Sequence, residues 1–323
     1  MDITNSSDLS ADLQVDHSGK RFGNLRRDLY RDRYLYMLLF PVLIFYLIFR
    51  YVPMYGLIIA FKDFRFVDGI IGSQWVGFEH FERMFRSEQF FRIVWNTLIL
   101  NVYQLVFQFP IPIVLAVLLN EVRRKHMKRT IQSLLYVPHF ISWVVLGGIL
   151  IAILSPSTGV LNIILDRVFG IDPIFFMADR FWWVVVFIVS GIWKTAGWGT
   201  ILYLAAITNI DPQLYEAAII DGANKWRQIW HITIPGISST IGILLILNVG
   251  GFLDISFEHI FMLQNQRVMR VSEVIPTFVY RAGLQGAQFS YTTGVGFFQS
   301  FVGLFLIWTA NKIIKKTGGS GLF

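Results

Sequence analysis

Residues 215–235 read YEAAIIDGANKWRQIWHITIP, and this polar stretch between two long apolar runs is the most informative part of the chain. Asp211-Pro212 just before it predicts a helix start, because Asp accepts hydrogen bonds as an N-cap and Pro fits the first helical position. We therefore predict a short helix over 212–220. A turn at Asp221-Gly222 follows, since glycine readily takes a positive φ, and then a second short helix over 223–231.

Two such helices at an angle form a compact projection that is suited to docking. The alanines and the glycine allow close approach, and the two carboxylates offer hydrogen-bond acceptors to a partner or within the loop. The residues assigned to this surface are Glu216, Ala217, Ala218, Asp221, Gly222 and Ala223. The alternative interpretation is an ordinary connecting loop.

The composition is that of a membrane protein. Apolar residues make up 54% of the 323 positions and charged residues 15%, far below the roughly 25% charged fraction of soluble domains. The net charge of +7 favours membrane topology over a nucleic-acid partner, because basic residues mark the loops that stay in the cytoplasm. The absence of cysteine excludes disulfides and thiolate chemistry.

Six apolar stretches approach the roughly 20 residues that a helix needs to cross a bilayer. They cover residues 34–61, 93–119, 132–154, 181–207, 237–262 and 291–313. The predicted fold is all-α, with a six-helix transmembrane domain over 34–313, a polar N-terminal segment 1–33 and a flexible tail 314–323. No cleavable signal is expected, because the first apolar run is longer than a signal core of about 7 to 15 residues.

Six spans place both termini on the same side of the membrane. Lys and Arg are more frequent in the segments that share the N-terminal side, above all in the short loop 120–131. Short basic loops near span ends remain in the cytoplasm. Both termini and the loop 208–236 are therefore predicted to be cytoplasmic.

Prolines predict irregular helices. Arg50 and Pro53 interrupt the first stretch, so either its helix continues to Phe61 with a kink or residues 52–61 lie at the interface. Pro110 and Pro112 in the second stretch and Pro138 in the third predict similar bends, which neighbouring helices can accommodate.

The stretch 215–235 resembles the EAA loop of the membrane subunits of ABC importers, which forms a coupling helix that binds in a cleft of the ATPase subunit. Residues 55–64, 75–81, 96–98 and 191–194 are similar to the carbohydrate-uptake branch of type I importers. The similarity covers nearly all of 34–313. It is closest to the subgroup for oligosaccharides of complex, often acidic polysaccharides, such as the alginate importers.

The resemblance implies a permease subunit in the plasma (inner) membrane that carries oligosaccharides and has no cofactor of its own. ATP and Mg²⁺ would bind to two partner ATPase subunits, a second permease would complete the path, and a periplasmic or tethered sugar-binding protein would deliver the substrate. A secondary transporter and a membrane-embedded enzyme are the alternatives. Neither symmetric repeats with broken helices nor paired ionisable residues at one depth are visible in the sequence.

Lys194 has the sharpest cost argument of any single residue, since a lysine near the middle of a membrane span costs about 2.5 to 3.5 kcal/mol. It should therefore face a wet cavity or a partner. A predicted substrate path combines it with residues that could stack on or hydrogen-bond to a sugar: Gly191, Thr195 and Trp198 beside it, and Asn248, Phe252 and Ser256 on the fifth span, where Ile255 and His259 continue the helical spacing. Alternatively, Lys194 pairs with Asp254 or Glu258 and stabilises the bundle.

Catalytic motifs are absent from the sequence. It contains no Gly-x-x-x-x-Gly-Lys-Ser/Thr phosphate loop, no His-Glu-x-x-His and no Gly-x-Ser-x-Gly, which are the signatures of nucleotide, zinc and serine chemistry. No catalytic residue and no metal ligand are assigned, and His139 is interpreted as a buried polar contact.

Overall fold

The computed structural model describes residues 30–253 and 255–316. Asp254, most of the predicted N-terminal segment 1–33 and most of the predicted tail 314–323 lie outside the described residues. The chain divides into two compact units, Met1–Leu57 and Ile58–Phe323.

The described residues are almost entirely helical. The helices are α1 (Arg33–Phe61), α2 (Gly69–Gly72), α3 (Glu79–Phe85), α4 (Glu88–Glu121), α5 (Lys125–Phe140), α6 (Trp143–Ile153), α7 (Val160–Phe169), α8 (Arg180–Thr208), α9 (Pro212–Ile220), α10 (Lys225–Gly236), α11 (Ser238–Gly250), α12 (Phe257–Leu263), α13 (Met269–Ser272), α14 (Ile275–Phe278) with its π-helical continuation Val279–Gln285, and α15 (Phe289–Lys316). Two short strands, β1 (Lys62–Asp63) and β2 (Gln74–Trp75), pair antiparallel.

Helices α1, α4, α8 and α15 are each long and apolar enough to cross a membrane, which confirms an all-α polytopic membrane protein. Two bent pairs, α5 with α6 and α10 with α11, pass the same test only when they are taken together. The described residues thus contain four spans, or up to six if each bent pair is one span.

Helix α1 continues to Phe61, as the first of the two alternatives predicted. It contains a π-helical turn at Leu47–Tyr51, which includes Arg50, and ends in 3-10 geometry at Tyr55–Phe61. Pro53 falls within the short α-helical piece Val52–Met54 between these irregular turns. The helix thus changes its type on both sides of the proline.

The third predicted span starts too late, whereas the bend that Pro138 predicted in it is present. The helix begins at Lys125 inside the predicted basic loop, and a break at Ile141 and Ser142 bends the chain by 96° before α6. Pro138 lies in the 3-10 turn Val137–Phe140 that ends α5, and Ser142 caps α6 by accepting from Val145 N at 3.3 Å. The proline and the cap together explain the bend.

The fifth predicted span is also wrong at its C-terminal end. Helix α11 stops at Gly250, and Ser256 starts α12 as an N-cap that accepts from His259 N at 3.4 Å. Gly250 and Gly251 favour this break, because glycine loses more conformational freedom in a helix than other residues do. Asn248, Phe252 and Ser256 therefore do not share one helix, and the helical spacing expected across them is absent.

Helix α8 lies at the centre of the second unit. Its N-terminal half packs Trp183 and Phe187 into an apolar core with residues of α12, and Trp183 Nε1 donates to Leu263 O at 2.9 Å. Its C-terminal half packs Tyr203 and Ile207 against α4 and Ile237. Neighbouring helices thus pack against α8 along nearly its whole length.

The segment between α12 and α15 is fixed to α4 by polar contacts. Asn96 Nδ2 donates to Arg270 O and Glu273 O, each at 3.0 Å, and Ile275 N donates to Thr97 Oγ1 at 3.0 Å. Buried Glu273 forms an ion pair with Arg281, and burial lowers the pKa of the Arg281 guanidinium. These bonds satisfy buried polar groups that would otherwise be costly.

One close approach holds α8 against α5. A Cβ atom on Gly197 would overlap the carbonyl oxygen of Leu135, so only glycine fits at this position. We expect Gly197→Ala to lower the melting temperature of the purified complex, because backbone atoms cannot move away as a side chain can. Gly296→Ala in α15 is the control, since a Cβ there meets nothing within 4 Å in this chain. Equal melting temperatures for the two variants would contradict the expectation.

Candidate functional site

The first helix of the predicted projection forms as expected. Asp211 Oδ1 accepts from Gln213 N at 2.9 Å, and Pro212 occupies the first turn of α9. Gly222 has a φ of 75°. Ala223 N donates to Ala218 O at 2.8 Å and Gly222 N donates to Ile219 O at 3.0 Å, which is the Schellman pattern of a glycine-terminated helix.

The second helix differs from its prediction at both ends. It begins at Lys225, because Asn224 is the N-cap and accepts from Arg227 N at 2.9 Å. It continues through a π-helical turn, Ile229–Thr233, to Gly236, so Pro235 lies inside it and does not open the next span. The predicted boundaries of 223 and 231 were thus too early at both ends.

Two side-chain contacts hold the two helices of the projection together and attach them to α4. Tyr215 OH and Thr233 Oγ1 lie 3.0 Å apart and join α9 to α10. Lys225 Nζ lies 3.0 Å from Glu121 Oε2 at the end of α4. The sequence analysis missed this ion pair, whose only local signal is a single acidic residue at the start of a basic loop.

The outer surface of the projection is open and mixed in character. Glu216, Ala217, Asp221 and Gly222 are exposed, whereas Ala218 and Ala223 are half-buried. Large apolar side chains surround them, with Ile220 86% and Trp226 71% exposed. Exposed apolar patches bordered by polar groups mark interaction surfaces, so this face has the character of a docking site.

Lys194 is bound to the backbone at the break between α5 and α6. Only 7% of its surface is exposed. Its Nζ donates to His139 O at 2.8 Å and to Ile141 O, and it lies 5.3 Å from the Trp143 ring centroid. Among the described residues Lys194 forms no ion pair, with Glu258 or any other. The alternative partner Asp254 lies outside them.

Aromatic rings surround this lysine. The His139 ring stacks on Trp198 with centroids 4.6 Å apart, and the Trp143 ring stacks on His259 at 3.6 Å. His259 Nε2 lies 3.0 Å from Ser190 Oγ. His139 is half-buried, and its backbone carbonyl rather than its ring accepts from Lys194. Its ring Nδ1 has no hydrogen-bond partner among the described residues, so the polar contact predicted for this side chain is not present. Trp143 was missed, because no sequence pattern links it to α8.

The other predicted path residues are distributed over three elements. On α8, Gly191 packs under Gln108, where a Cβ would overlap Nε2, and Thr195 Oγ1 bonds to Gly191 O at 2.8 Å. On α11, Asn248 Nδ2 donates to Leu244 O at 2.8 Å. Phe252 lies in the turn after α11 and Ser256 caps α12. The described contacts do not bring these side chains together around one cavity.

The fold defines a polytopic helical membrane protein with a short helical projection between two of its spans. Residues 108–314 match the family described as "Binding-protein-dependent transport system inner membrane component". The chain therefore belongs to this family of inner-membrane transport subunits.

Two curated relatives from Bacillus subtilis (strain 168) are similar over most of their length. The polygalacturonan/rhamnogalacturonan transport system permease protein YteP is 47% identical over 275 residues, which cover 85% of each chain. Protein LplB is 46% identical over 275 residues, which cover 85% of this chain and 86% of LplB.

Solved structures of the same class superpose closely. One is a bacterial ABC transporter involved in the import of the acidic polysaccharide alginate, with a TM-score of 0.84, 42% identity and coverage of 91% of this chain and 99% of that one. Another is the bacterial alginate ABC transporter in complex with an alginate pentasaccharide-bound periplasmic protein, with a TM-score of 0.85, 41% identity and coverage of 93% and 100%. The resemblance expected from the sequence is confirmed.

The contacts of Lys194 predict a structural effect of its removal. We expect Lys194→Met to lower the melting temperature of the purified complex and to reduce uptake of acidic and neutral sugars alike, because buried carbonyls that lose their donor cost about 1–3 kcal/mol each. Lys312→Met is a control, since Lys312 is exposed and lies over the ring of Trp308. A normal melting temperature with selective loss of acidic-sugar uptake would instead assign Lys194 to the substrate path.

Proposed function

We propose that this chain is the permease subunit of an ABC importer for oligosaccharides derived from acidic polysaccharides. The observation that carries the proposal is the similarity, over most of both chains, to a permease for polygalacturonan and rhamnogalacturonan and to an importer of acidic alginate. Membership of the family favours ATP-driven import over the two alternatives, a secondary transporter and a membrane-embedded enzyme.

The proposed role of the projection is to couple the permease to an ATPase subunit. Ala217 and Ala218 keep α9 thin, and the glycine-terminated turn presents Asp221 and Ala223 at the tip. The exposed Ile220 and Trp226 supply apolar area for a buried interface, in which such side chains carry most of the binding energy. Glu216 and Asp221 are available to basic groups of the partner.

The bonds at the base of the projection support transmission of a movement. The Tyr215–Thr233 contact makes α9 and α10 one body, and the Lys225–Glu121 ion pair joins that body to α4. Closure of an ATPase pair would then displace α4 and α11 together with the projection. The permease would alternate between inward-open and outward-open states by rigid movement of these helices.

The remaining subunits follow from the proposed mechanism. Two ATPase subunits bind ATP and Mg²⁺, a second permease completes the path, and a periplasmic or tethered sugar-binding protein supplies the oligosaccharide. The alginate structure with a loaded periplasmic protein supports the last of these. We place both termini and the loop 208–236 in the cytoplasm, on the distribution of Lys and Arg.

The substrate path stays a proposal. Thr195 and Trp198 are exposed on α8, and Asn248 is exposed on α11, so these side chains are available to hydroxyls and ring faces of a sugar. Lys194 and Gly191 are buried next to these residues. They would affect the shape of the path only through the position of the backbone. Phe252 and Ser256 would contribute from the connection between α11 and α12.

The coupling role predicts the effect of a change at Gly222. We expect Gly222→Leu to abolish transport and to reduce substrate-stimulated ATP hydrolysis while the complex still inserts, because a side chain resists the positive φ at a cost of roughly 1–2 kcal/mol and enlarges the docking tip. Gly170→Leu is a matched control. Gly170 also ends a helix with a positive φ of 63°, and a Cβ there also meets nothing within 4 Å. Normal transport by Gly222→Leu would remove the projection from the mechanism.

The proposed assignment of ATP hydrolysis to partner subunits predicts how the isolated chain behaves. Purified without its partners, it should neither bind nor hydrolyse ATP, because its sequence contains no phosphate-binding loop. Nucleotide binding and phosphate release would be measured before and after addition of the partner ATPase subunits. Saturable hydrolysis without those subunits would overturn the assignment.

A further inference from the structure

A small polar cavity of about 270 Å³ lies where α3 and the start of α4 meet the π-helical end of α14 and the start of α15. Two cations, Arg83 and Arg281, form part of its wall, and no acidic residue among those described lines it. The other polar side chains of the wall are Ser87, Gln89 and Gln288. None of these residues belongs to the projection or to the predicted substrate path.

Membrane orientation does not explain these two cations. With six spans and cytoplasmic termini, as proposed above, residues 62–92 and 263–290 lie on the outer side of the membrane. Lys and Arg serve as orientation signals in the loops of the opposite, cytoplasmic side. Arg83 and Arg281 therefore have another role, and a cavity between two guanidinium groups is suited to an anion.

The two arginines are held in different ways. Arg281 forms an ion pair with buried Glu273, so it contributes N–H donors to the wall but little net charge. Arg83 is exposed, and its Nη2 donates to Gln288 Oε1 at 3.4 Å. Its Cζ lies 5.0 Å from the centroid of the Tyr291 ring. Neutral groups thus orient Arg83 and leave its charge available.

The acidic residues of α3 do not neutralise Arg83. Glu79 and Glu82 line an adjoining cavity together with Arg83 and Arg86. Glu82 pairs with Arg86 at 2.5 Å. Arg83 forms no ion pair within the part of the chain that the structure describes. The cavity between α3 and α14 therefore retains a free cation in its wall.

An irregular backbone builds the opposite wall. Arg281 lies in the π-helical turn Val279–Gln285. Ala287 has a φ of 53°, and it is the only described residue other than glycine with a positive φ. After this turn Gln288 N donates to Ala282 O at 3.0 Å, which places the Gln288 side chain within reach of Arg83. Rare helix types and strained residues occur often at functional sites.

We propose, on the basis of the proposed transport of acidic oligosaccharides, that this cavity binds the carboxylate of one sugar unit and that Arg83 is its cationic partner. A guanidinium presents paired N–H donors that match the two oxygens of a carboxylate. The hydroxyl of Ser87 and the amides of Gln89 and Gln288 supply donors and acceptors for sugar hydroxyls. The volume is slightly below the roughly 300–1,000 Å³ of sites for drug-sized ligands, so it suits one unit of the oligosaccharide.

An acidic side chain of the sugar-binding protein is the alternative occupant. Protein interfaces obtain most of their binding energy from large side chains that become buried on association. The two large aromatic side chains of this wall, Phe278 and Tyr291, are each only 7% exposed, so they offer little further area to a protein. The polar character of the wall therefore favours a small hydroxylated anion.

The proposal is tested with the assembled permease and ATPase subunits, without the sugar-binding protein, by calorimetric titration with trigalacturonate or with its neutral methyl ester. We expect trigalacturonate to bind more tightly than the ester, which has the same rings without their charges. Arg83→Gln should weaken the binding of trigalacturonate by about tenfold or more, the usual contribution of a hydrogen bond to a charged group. Its affinity for the ester should match that of the wild type.

Arg92→Gln is the matched control, because Arg92 is exposed near the start of α4 and does not line the cavity. It should titrate like the wild type, although it removes the same charge. A second variant, Gln288→Leu, removes an amide of the wall and the partner of Arg83. It should weaken the binding of trigalacturonate severalfold, and it decides the matter if Arg83→Gln does not assemble.

Three results would overturn the proposal. They are equal wild-type affinities for trigalacturonate and its ester, an unchanged trigalacturonate affinity in Arg83→Gln, and weaker docking of the sugar-binding protein to that variant without a change in sugar affinity. The last result would assign the cavity to the binding protein.

Uptake by the wild-type importer, reconstituted with its sugar-binding protein, separates this proposal from the proposed function. If trigalacturonate is taken up while Arg83→Gln leaves its binding unchanged, only the role of the cavity is wrong. If the wild type takes up no acidic oligosaccharide, the proposed function is wrong and the role of the cavity falls with it.

Discussion

The bond between the Lys194 ammonium and the backbone at the end of α5 is the constraint on which the surrounding structure depends. A helix that breaks inside a membrane protein leaves carbonyl groups that no lipid can satisfy. Here the break at Ile141 and Ser142 is tolerated because Lys194 donates to His139 O and Ile141 O. The same hydrogen bonds therefore lower both the cost of burying the lysine and the cost of breaking the helix.

This bond also explains the aromatic packing around the break. Trp143 follows the break directly, and its ring stacks on His259 of α12 and lies 5.3 Å from Lys194 Nζ. His139 precedes the break and stacks on Trp198 of α8. Helices α5, α6 and α12 are thus held to α8 by one continuous set of contacts.

The sequence predicted well those features that depend on neighbouring residues. Asp211, Pro212 and Gly222 define the start and end of α9 by capping and by backbone preference, which are local properties. The apolar runs of α1, α4, α8 and α15 were recognised because uninterrupted hydrophobic length is the signal of a span. The burial of Lys194 was predicted from the cost of placing a lysine in a membrane span, but its hydrogen-bond partners were not predicted.

The features that the sequence did not predict depend on contacts between distant residues. The acceptors of Lys194 are backbone carbonyls, which every residue has, so no side-chain pattern identifies them. Gly250 and Gly251 are ordinary in membrane helices, so their presence did not identify the end of α11 in the sequence. The ion pair between Lys225 and Glu121 joins positions 104 residues apart. Neither residue has a sequence pattern that identifies the other as its partner.

That ion pair also decides where the projection is attached. Glu121 ends α4, and its carboxylate is bound by Lys225 at the start of α10. Glu121 is the only acidic residue in 89–165 of the sequence, so no carboxylate near it in the chain could replace it. Both side chains are partly exposed, Lys225 by 56% and Glu121 by 36%, and exposed ion pairs contribute about 0–1 kcal/mol to stability. The contact therefore fixes the position of the projection relative to α4 more than it stabilises the fold.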